Sequence, residues 1–133
     1  MANQIVVQVN QVGPTASEGQ VRGHKLTMDR PIAKGGEDRG PMGGETILVA
    51  LGGCFMSNLL AAAASREMKL SGVQLEISGT LESAPPRYSA VHMRVMADQA
   101  DDEQFAKLVT IAERGCIVAN TMKAAVDLTI EIS

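Results

Sequence analysis

Aromatic residues are almost absent from this chain of 133 residues, which has two Phe, one Tyr and no Trp. Proteins that bind single-stranded nucleic acid stack bases on aromatic side chains, so this scarcity removes the platform that such binding requires. The interior must be filled by aliphatic residues and by eight methionines, whose flexible side chains adapt to irregular gaps. The chain length predicts a single domain over residues 1–133.

Clustered positive charge is also missing from the chain. The formal net charge is −3, and no block of like charges stands out. A nucleic-acid-binding face needs grouped Lys and Arg, so we expect no nucleic-acid partner. The N-terminus has no basic segment followed by a long apolar run, and the apolar stretch from Ile47 to Ala64 is interrupted by Gly, Cys, Ser and Asn. We therefore expect a core helix, no membrane partner and a cytoplasmic location.

Alternating apolar and polar residues predict five strands. In the third of them, Val73, Leu75 and Ile77 face one side of the sheet, and the polar residues between them face the other. A Gly/Pro/Ser turn between the first two strands predicts a hairpin. The predicted strands cover residues 4–10, 20–29, 73–81, 88–98 and the closing segment AVDLTIEIS, residues 125–133.

Helical periodicity predicts two helices and a third, short one. Asp101 or Asp102 can cap the second helix, which has a clear apolar stripe. Strand pairs without crossover helices indicate an α+β fold, with a mostly antiparallel sheet covering a central helix. The predicted helices cover residues 45–69 and 101–115, with a short helix restarting at Cys116, and the Gly/Pro-rich residues 31–44 form an irregular loop.

Only two cysteines occur, Cys54 within the apolar helix and Cys116 beside the second helix. A buried free cysteine commonly serves as a small hydrophobic residue, and this is the simplest interpretation of each one. The alternative is a reactive thiolate, which needs a helix N-terminus, a cation or a hydrogen-bond donor near the sulfur. A helix start at Cys116 would meet that condition, whereas Cys54, in mid-helix, needs donors from elsewhere in the fold.

Two segments together resemble the OsmC/Ohr family, the osmotically inducible protein C and organic hydroperoxide resistance proteins. One is GGEDRGPMGGETILVALGGCFMSNLL, with a Gly/Pro-rich loop, a Glu that opens a helix and an Ala/Leu/Gly run that ends in Cys54. The other is AERGCIVANTM, around Cys116. The resemblance covers essentially the whole chain. It implies an intertwined homodimer, in which strongly twisted sheets wrap a pair of central helices and each active site lies at the dimer interface.

The resemblance also implies peroxidase chemistry without a cofactor. Cys54 matches the peroxidatic cysteine, whose thiolate attacks the O–O bond of an organic hydroperoxide and becomes a sulfenic acid. Cys116 matches the resolving cysteine, which condenses with that sulfenic acid to a disulfide and so protects it from irreversible oxidation. An external dithiol would then restore both thiols by exchange.

The family's peroxidases use an Arg to hold the thiolate and polarise the peroxide, and a Glu to orient that Arg. Arg22 is our first choice for the Arg, with Arg30 and Arg39 as alternatives. For each of them a solvated surface charge is an equally simple interpretation. Glu45 is the candidate Glu, but it precedes Cys54 by nine residues, which places the two side chains on opposite faces of a regular helix.

Glu45 has a second interpretation, as a helix-start residue beside the positive end of the helix dipole. The position ten residues before Cys54, which would lie nearer the cysteine's face, is occupied by Gly44. Gly52 and Gly53 could distort the helix enough to bring Glu45 to the site.

A different function on the same scaffold stays open. The alternative is an OsmC-like protein without efficient peroxidase activity, serving as a small apolar ligand-binding protein or in other redox chemistry. The cysteine pair favours the peroxidase, whereas the Arg–Glu pair leaves the alternative open. His24 and His92 lie far apart without paired Cys/His spacing, and no phosphate-loop motif occurs, so we expect no metal site and no nucleotide cofactor.

Overall fold

The computed structural model describes residues 2–124 and 126–132, and the chain divides into two compact units, Met1–Ile47 and Leu48–Ser133. The first unit holds a three-stranded antiparallel sheet in which β2 lies between β1 and β3. A short 3-10 helix follows within the predicted loop. These elements are β1 (Gln8–Gln11), β2 (Ser17–Val21), β3 (His24–Met28) and the 3-10 helix Ile32–Lys34.

The predicted strand over residues 20–29 is wrong, because a tight turn divides it into two strands. Arg22 and Gly23 have φ values of 50° and 81°, both in the left-handed region. Val21 therefore pairs with His24, and the chain reverses into a hairpin. Such two-residue turns match the twist of the strands but need positive φ at both central positions, a conformation that Arg rarely adopts. Because Arg22 is not a typical turn residue, the alternating pattern did not indicate the turn.

A buried carboxylate organises the loop after β3. Asp29 accepts hydrogen bonds from the Thr15 hydroxyl at 2.7 Å and from the backbone N–H groups of Arg30, Glu37 and Arg39 at 2.6, 3.2 and 3.2 Å. The Thr15 hydroxyl, assisted by these N–H groups and opposed by burial, holds the pKa of Asp29 below its ordinary value. The predicted irregular loop is thus ordered around one side chain.

Helix α1 spans Gly43–Ser65 and supplies much of the core of the second unit. It ends before the predicted Lys69 because Glu67 adopts a φ of 56° and the Met68 N–H turns back to the Ala63 carbonyl at 2.9 Å. By length and composition α1 could cross a membrane. One face nevertheless belongs to the protein core, and its buried residues are Leu51, Gly52, Phe55, Leu59, Ala62 and Ala63.

Two long antiparallel strands form the sheet of the second unit, β4 (Gln74–Ser83) and β5 (Pro86–Met96). At Gly79, a Cβ atom would come within 2.6 Å of the Tyr88 ring, so the absence of a side chain lets the ring lie against β4. The predicted alternation is confirmed by the side chains that pack against the core, which are Leu75 and Ile77 from β4 and Met93 and Val95 from β5.

Helices α2 (Glu103–Gly115) and α3 (Ile117–Lys123) complete the second unit. Asp102 caps α2 as predicted, since its side chain accepts the Gln104 N–H at 2.8 Å. The apolar stripe of α2 is also confirmed, because Phe105, Leu108 and Ala112 are buried. Within the described residues, the three α-helices and the antiparallel strands confirm the predicted α+β class.

The chain ends carry exposed apolar segments. Residues 126–132 form no strand, so the last strand predicted over residues 125–133 is not present in the single chain. The first and last positions of that prediction, Ala125 and Ser133, lie outside the described residues. Leu128 and Ile130 are 80% and 88% exposed, and near the other end Ile5 is 81% exposed. A strand needs a neighbour to satisfy its backbone groups. Within the described part of the chain, neither the segment around Ile5 nor residues 126–132 pair with a neighbouring strand.

Candidate active site at two cysteines

Cys116 occupies the break between α2 and α3 and caps both helices. Its φ of −80° and ψ of 111° are not helical, and its backbone N–H donates to the Glu113 carbonyl. Its sulfur accepts the Ala119 N–H at 3.4 Å, which is the bond of an N-cap. The side chain is fully buried. The short helix predicted to restart here is confirmed.

Cys54 lies on α1, half-buried against the same core. Both cysteines are free, and the Cys116 thiol lies beside the Cys54 sulfur, where it helps to lower the pKa of Cys54. The backbone N–H groups of Val118 and Ile117, in the first turn of α3, also face the Cys54 sulfur. The fold therefore supplies, from α3, the donors that a cysteine in mid-helix lacks.

The two thiols have pKa values that move in opposite directions. The Val118 N–H, with further help from the Cys116 thiol and the Ile117 N–H, lowers the pKa of Cys54, although burial opposes this effect. Burial raises the pKa of Cys116, and the neighbouring Cys54 sulfur raises it further, while the Ala119 N–H opposes the change. Cys54 is thus the thiol that loses its proton first, and Cys116 is the one that keeps it.

Sequence reasoning missed a third polar group at this site, the amide of Asn58. Its Nδ2 donates to the Cys54 carbonyl at 2.9 Å and lies 4.0 Å from the Cys54 sulfur. The signal was available, because residues four apart on a helix are neighbours on its surface. Asn is also an unusual choice within a Leu- and Ala-rich helix.

The three candidate arginines all belong to the first unit. Arg22 is exposed at the tip of the β2–β3 hairpin. Arg39 has a structural contact, since its Nη1 donates to the Val12 carbonyl at 3.1 Å. Arg30 lines an open hollow of about 330 Å³, whose other lining residues are Thr15, Ser17, Met28, Asp29, Lys34, Met42 and Gly43.

Glu45 lies at the start of α1, where its carboxylate accepts the Met42 N–H at 2.8 Å. This contact agrees with the interpretation of Glu45 as a helix-start residue. The helix runs through Gly52 and Gly53 without a break. Of the four predicted catalytic residues, the structure brings Cys54 and Cys116 together in the second unit. Arg22 and Glu45 belong to the first unit, and their catalytic roles stay predictions.

No metal centre accompanies the cysteines within the part of the chain that the structure describes. Among residues 2–124 and 126–132, no group of three His, Cys, Asp or Glu side chains could hold a metal ion. His24, at the start of β3, and His92, on β5, are both exposed.

Comparison with known proteins identifies the fold. The family model described as OsmC-like protein matches residues 35–131. A hypothetical protein from Aquifex aeolicus has a similar structure, with a TM-score of 0.77, 14% identity and coverage of 92% of this chain and 89% of that one. No curated protein matches the chain in sequence.

Two similar structures carry names that refer to organic hydroperoxide resistance. The organic hydroperoxide resistance protein OsmC of Legionella pneumophila has a TM-score of 0.65 and 17% identity, with 92% of this chain and 91% of that chain covered. The organic hydroperoxide resistance protein OhrB of Bacillus subtilis has a TM-score of 0.61 and 18% identity, with 94% of each chain covered. At these identities the similarity shows the fold.

Proposed function

Because the chain belongs to the OsmC-like protein family, we propose that it is a thiol-dependent peroxidase that reduces organic hydroperoxides. The observation that carries the proposal is the asymmetric thiol pair. Cys54 has a lowered pKa and Cys116 a raised one, and each cysteine is among the causes of the other's change. A buried cysteine that served only as a hydrophobic residue would need neither the partner thiol nor the α3 amides.

The proposed chemistry begins at Cys54. Its thiolate attacks one oxygen of the hydroperoxide, the O–O bond breaks, and the alkoxide takes up a proton and leaves as an alcohol. The sulfur, now oxidised by two electrons, becomes a sulfenic acid. The Cys116 sulfur attacks it, so that the S–S bond forms, the S–O bond breaks and the hydroxide leaves with the Cys116 proton as water. An external dithiol returns two electrons and two protons by exchange and becomes a disulfide itself.

The buried position of Cys116 suits the resolving role. A fully buried thiol is protected from direct attack by peroxide, yet Cys116 lies beside the sulfur that becomes oxidised. The raised pKa of Cys116 keeps it protonated, so that it donates to the Cys54 thiolate rather than repelling it. Each thiol therefore supports the role proposed for the other.

We propose a homodimer as the active form and the cytoplasm as its location. Proteins of the OsmC/Ohr family are typically dimeric. This chain has exposed apolar segments at both ends and an exposed face of small and apolar residues on α1, where side chains three or four residues apart share one side. The exposed residues of that face include Val49, Gly53, Ser57, Leu60 and Ala64. A second copy of the chain would cover these surfaces, and sedimentation at several concentrations measures the oligomer.

Arg22 and Glu45 keep the assisting roles that the family resemblance assigns to them. Cys54 already has hydrogen-bond donors from α3 and Cys116 in the second unit. We therefore propose that Arg22 acts on the peroxide and on the developing charge, with Glu45 orienting it, rather than serving as the sole support of the thiolate.

The test is a count of free thiols before and after one equivalent of cumene hydroperoxide. We expect the parent to lose both thiols and to recover them with a dithiol. Cys54→Ser should consume no peroxide, and Cys116→Ser should form a sulfenic acid that a dimedone-type reagent traps. An organic hydroperoxide should react faster than hydrogen peroxide. Two persistent thiols beside intact peroxide would refute the peroxidase and leave the ligand-binding or other redox role.

A further inference from the structure

Asn58 lies between the two segments that carry the cysteines. On the α1 side, its Nδ2 donates to the carbonyl of Cys54 at 2.9 Å and lies 4.0 Å from the sulfur of the same residue. The side chain is half-buried. Asn is a weak helix former, because its amide competes with the backbone for hydrogen bonds. Its place in a helix rich in Leu and Ala therefore calls for a role beyond helix formation.

The other side of the Asn58 amide faces the end of α2. A Cβ atom on Gly115 would lie 3.1 Å from the Asn58 Oδ1 and 3.6 Å from its Cγ. Gly115 is the last residue of α2. The missing side chain leaves room for the amide, directly before Cys116 in the chain.

We infer that Asn58 is a positioning residue, which holds the Cys54 turn of α1 against the Gly115–Cys116 junction. It thereby keeps the two sulfurs at the distance and orientation that a disulfide needs. The inference rests on the proposed use of the thiols as a redox pair. A disulfide forms only within a narrow range of distances and dihedral angles. A shift of the α1 turn relative to this junction would therefore lower the effective concentration of one thiol at the other.

The experiment measures the equilibrium between the dithiol and disulfide forms in buffers of reduced and oxidised glutathione. In this exchange, two glutathione thiols become one disulfide as the protein disulfide is reduced. Four proteins are compared with the parent: Asn58→Ala, Gly115→Ala, the double variant and Asn120→Ala. Asn120 is the matched control, because its amide also donates to a backbone carbonyl, that of Arg114 at 3.0 Å.

We expect Asn58→Ala to lower the effective concentration of one thiol at the other about three- to tenfold, because the shortened side chain no longer fills the space between the Cys54 turn and Gly115. Gly115→Ala should also lower it, because the new methyl group displaces the Asn58 amide. In the double variant the methyl group has nothing to displace, so the two effects should not add. Asn120→Ala should match the parent, and thermal unfolding of each variant confirms that it is folded.

Three outcomes would count against the inference. Equal constants for the parent and Asn58→Ala would show that the amide does not position the pair. An equal loss in Asn120→Ala would mean that any loosening of this region has the same effect. A parent that forms no disulfide in any buffer would refute the proposed redox pair as well, and so differs from a failure of Asn58 alone.

Discussion

Replacing Cys116 by alanine or by serine separates its two contacts from the effect of removing its thiol chemistry. Both variants lose the resolving thiol. Serine keeps a hydroxyl that can donate toward Cys54 and is a preferred N-cap residue for α3. Alanine keeps neither contact. The structure therefore predicts that the serine variant retains the environment of Cys54, whereas the alanine variant keeps the α3 amides but loses the donor at position 116.

The size of each effect follows from the contacts. The Cys116 sulfur accepts the Ala119 N–H at 3.4 Å as the N-cap of α3, and loss of such a cap costs about 1 kcal/mol of stability. A hydrogen bond to a charged group contributes about 1.5–3 kcal/mol, and a thiol is a weak donor. Taking the lower end, we expect alanine to lower the acid dissociation constant of the Cys54 thiol about tenfold, and with it the thiolate population in the pH range where the thiol titrates.

Ultraviolet absorbance of the thiolate, followed across a pH titration, measures this population directly. Alkylation rates are less suitable, because the intrinsic reactivity of a thiolate falls as its pKa falls and partly hides the change. We expect the thiolate population of Cys54 in Cys116→Ser to equal or exceed that of the parent. In Cys116→Ala it should be lower than in the parent. If alanine and serine titrate alike, Cys116 does not activate Cys54, and the asymmetric pair does not support the peroxidase.

Two further predictions concern the first unit. Arg22→Gly should stabilise the hairpin by about 0.5–1 kcal/mol, because glycine adopts positive φ without strain. The same substitution should slow peroxide turnover. Unchanged turnover would mean that Arg22 takes no part in the mechanism. The Asp29 carboxylate has a lowered pKa, so its contribution to stability is full above the ordinary value of 3.8 and is lost as the pH falls through the folded-state pKa. Urea unfolding at a series of pH values should show this loss of stability in the parent. In Asp29→Asn, stability should fall less steeply on the acid side, and the urea midpoint at neutral pH should be lower than in the parent. The same dependence of stability on pH in both proteins would contradict the role of Asp29.

Local patterns predicted the elements whose structure is decided locally. The alternation of β4 and β5 and the stripe of α2 each need only one buried face, and the sequence displays that face directly. The cap at Asp102 depends on one nearby side chain in the same way. These elements formed as expected because no distant contact opposes them.

Long-range contacts explain what the sequence could not show. Residues 126–132 have the pattern of a strand, but the pattern does not say which strand would pair with them, and within the described residues none does. Cys54 and Cys116 meet because α1 and the α2–α3 break share one core, and only the family resemblance paired them beforehand. The α3 amides that face Cys54 depend on that same packing.

The close approach of Tyr88 to Gly79 has a practical consequence for spectroscopy. The chain has one tyrosine and no tryptophan, so its near-ultraviolet emission comes almost entirely from this ring. The ring lies against β4 in the β4–β5 hairpin. Tyrosine emission therefore reports the opening of one hairpin, whereas circular dichroism reports the helices, and any difference between the two unfolding curves would separate the sheet from the helical core. The same scarcity of aromatic rings leaves a low background against which a thiolate can be seen.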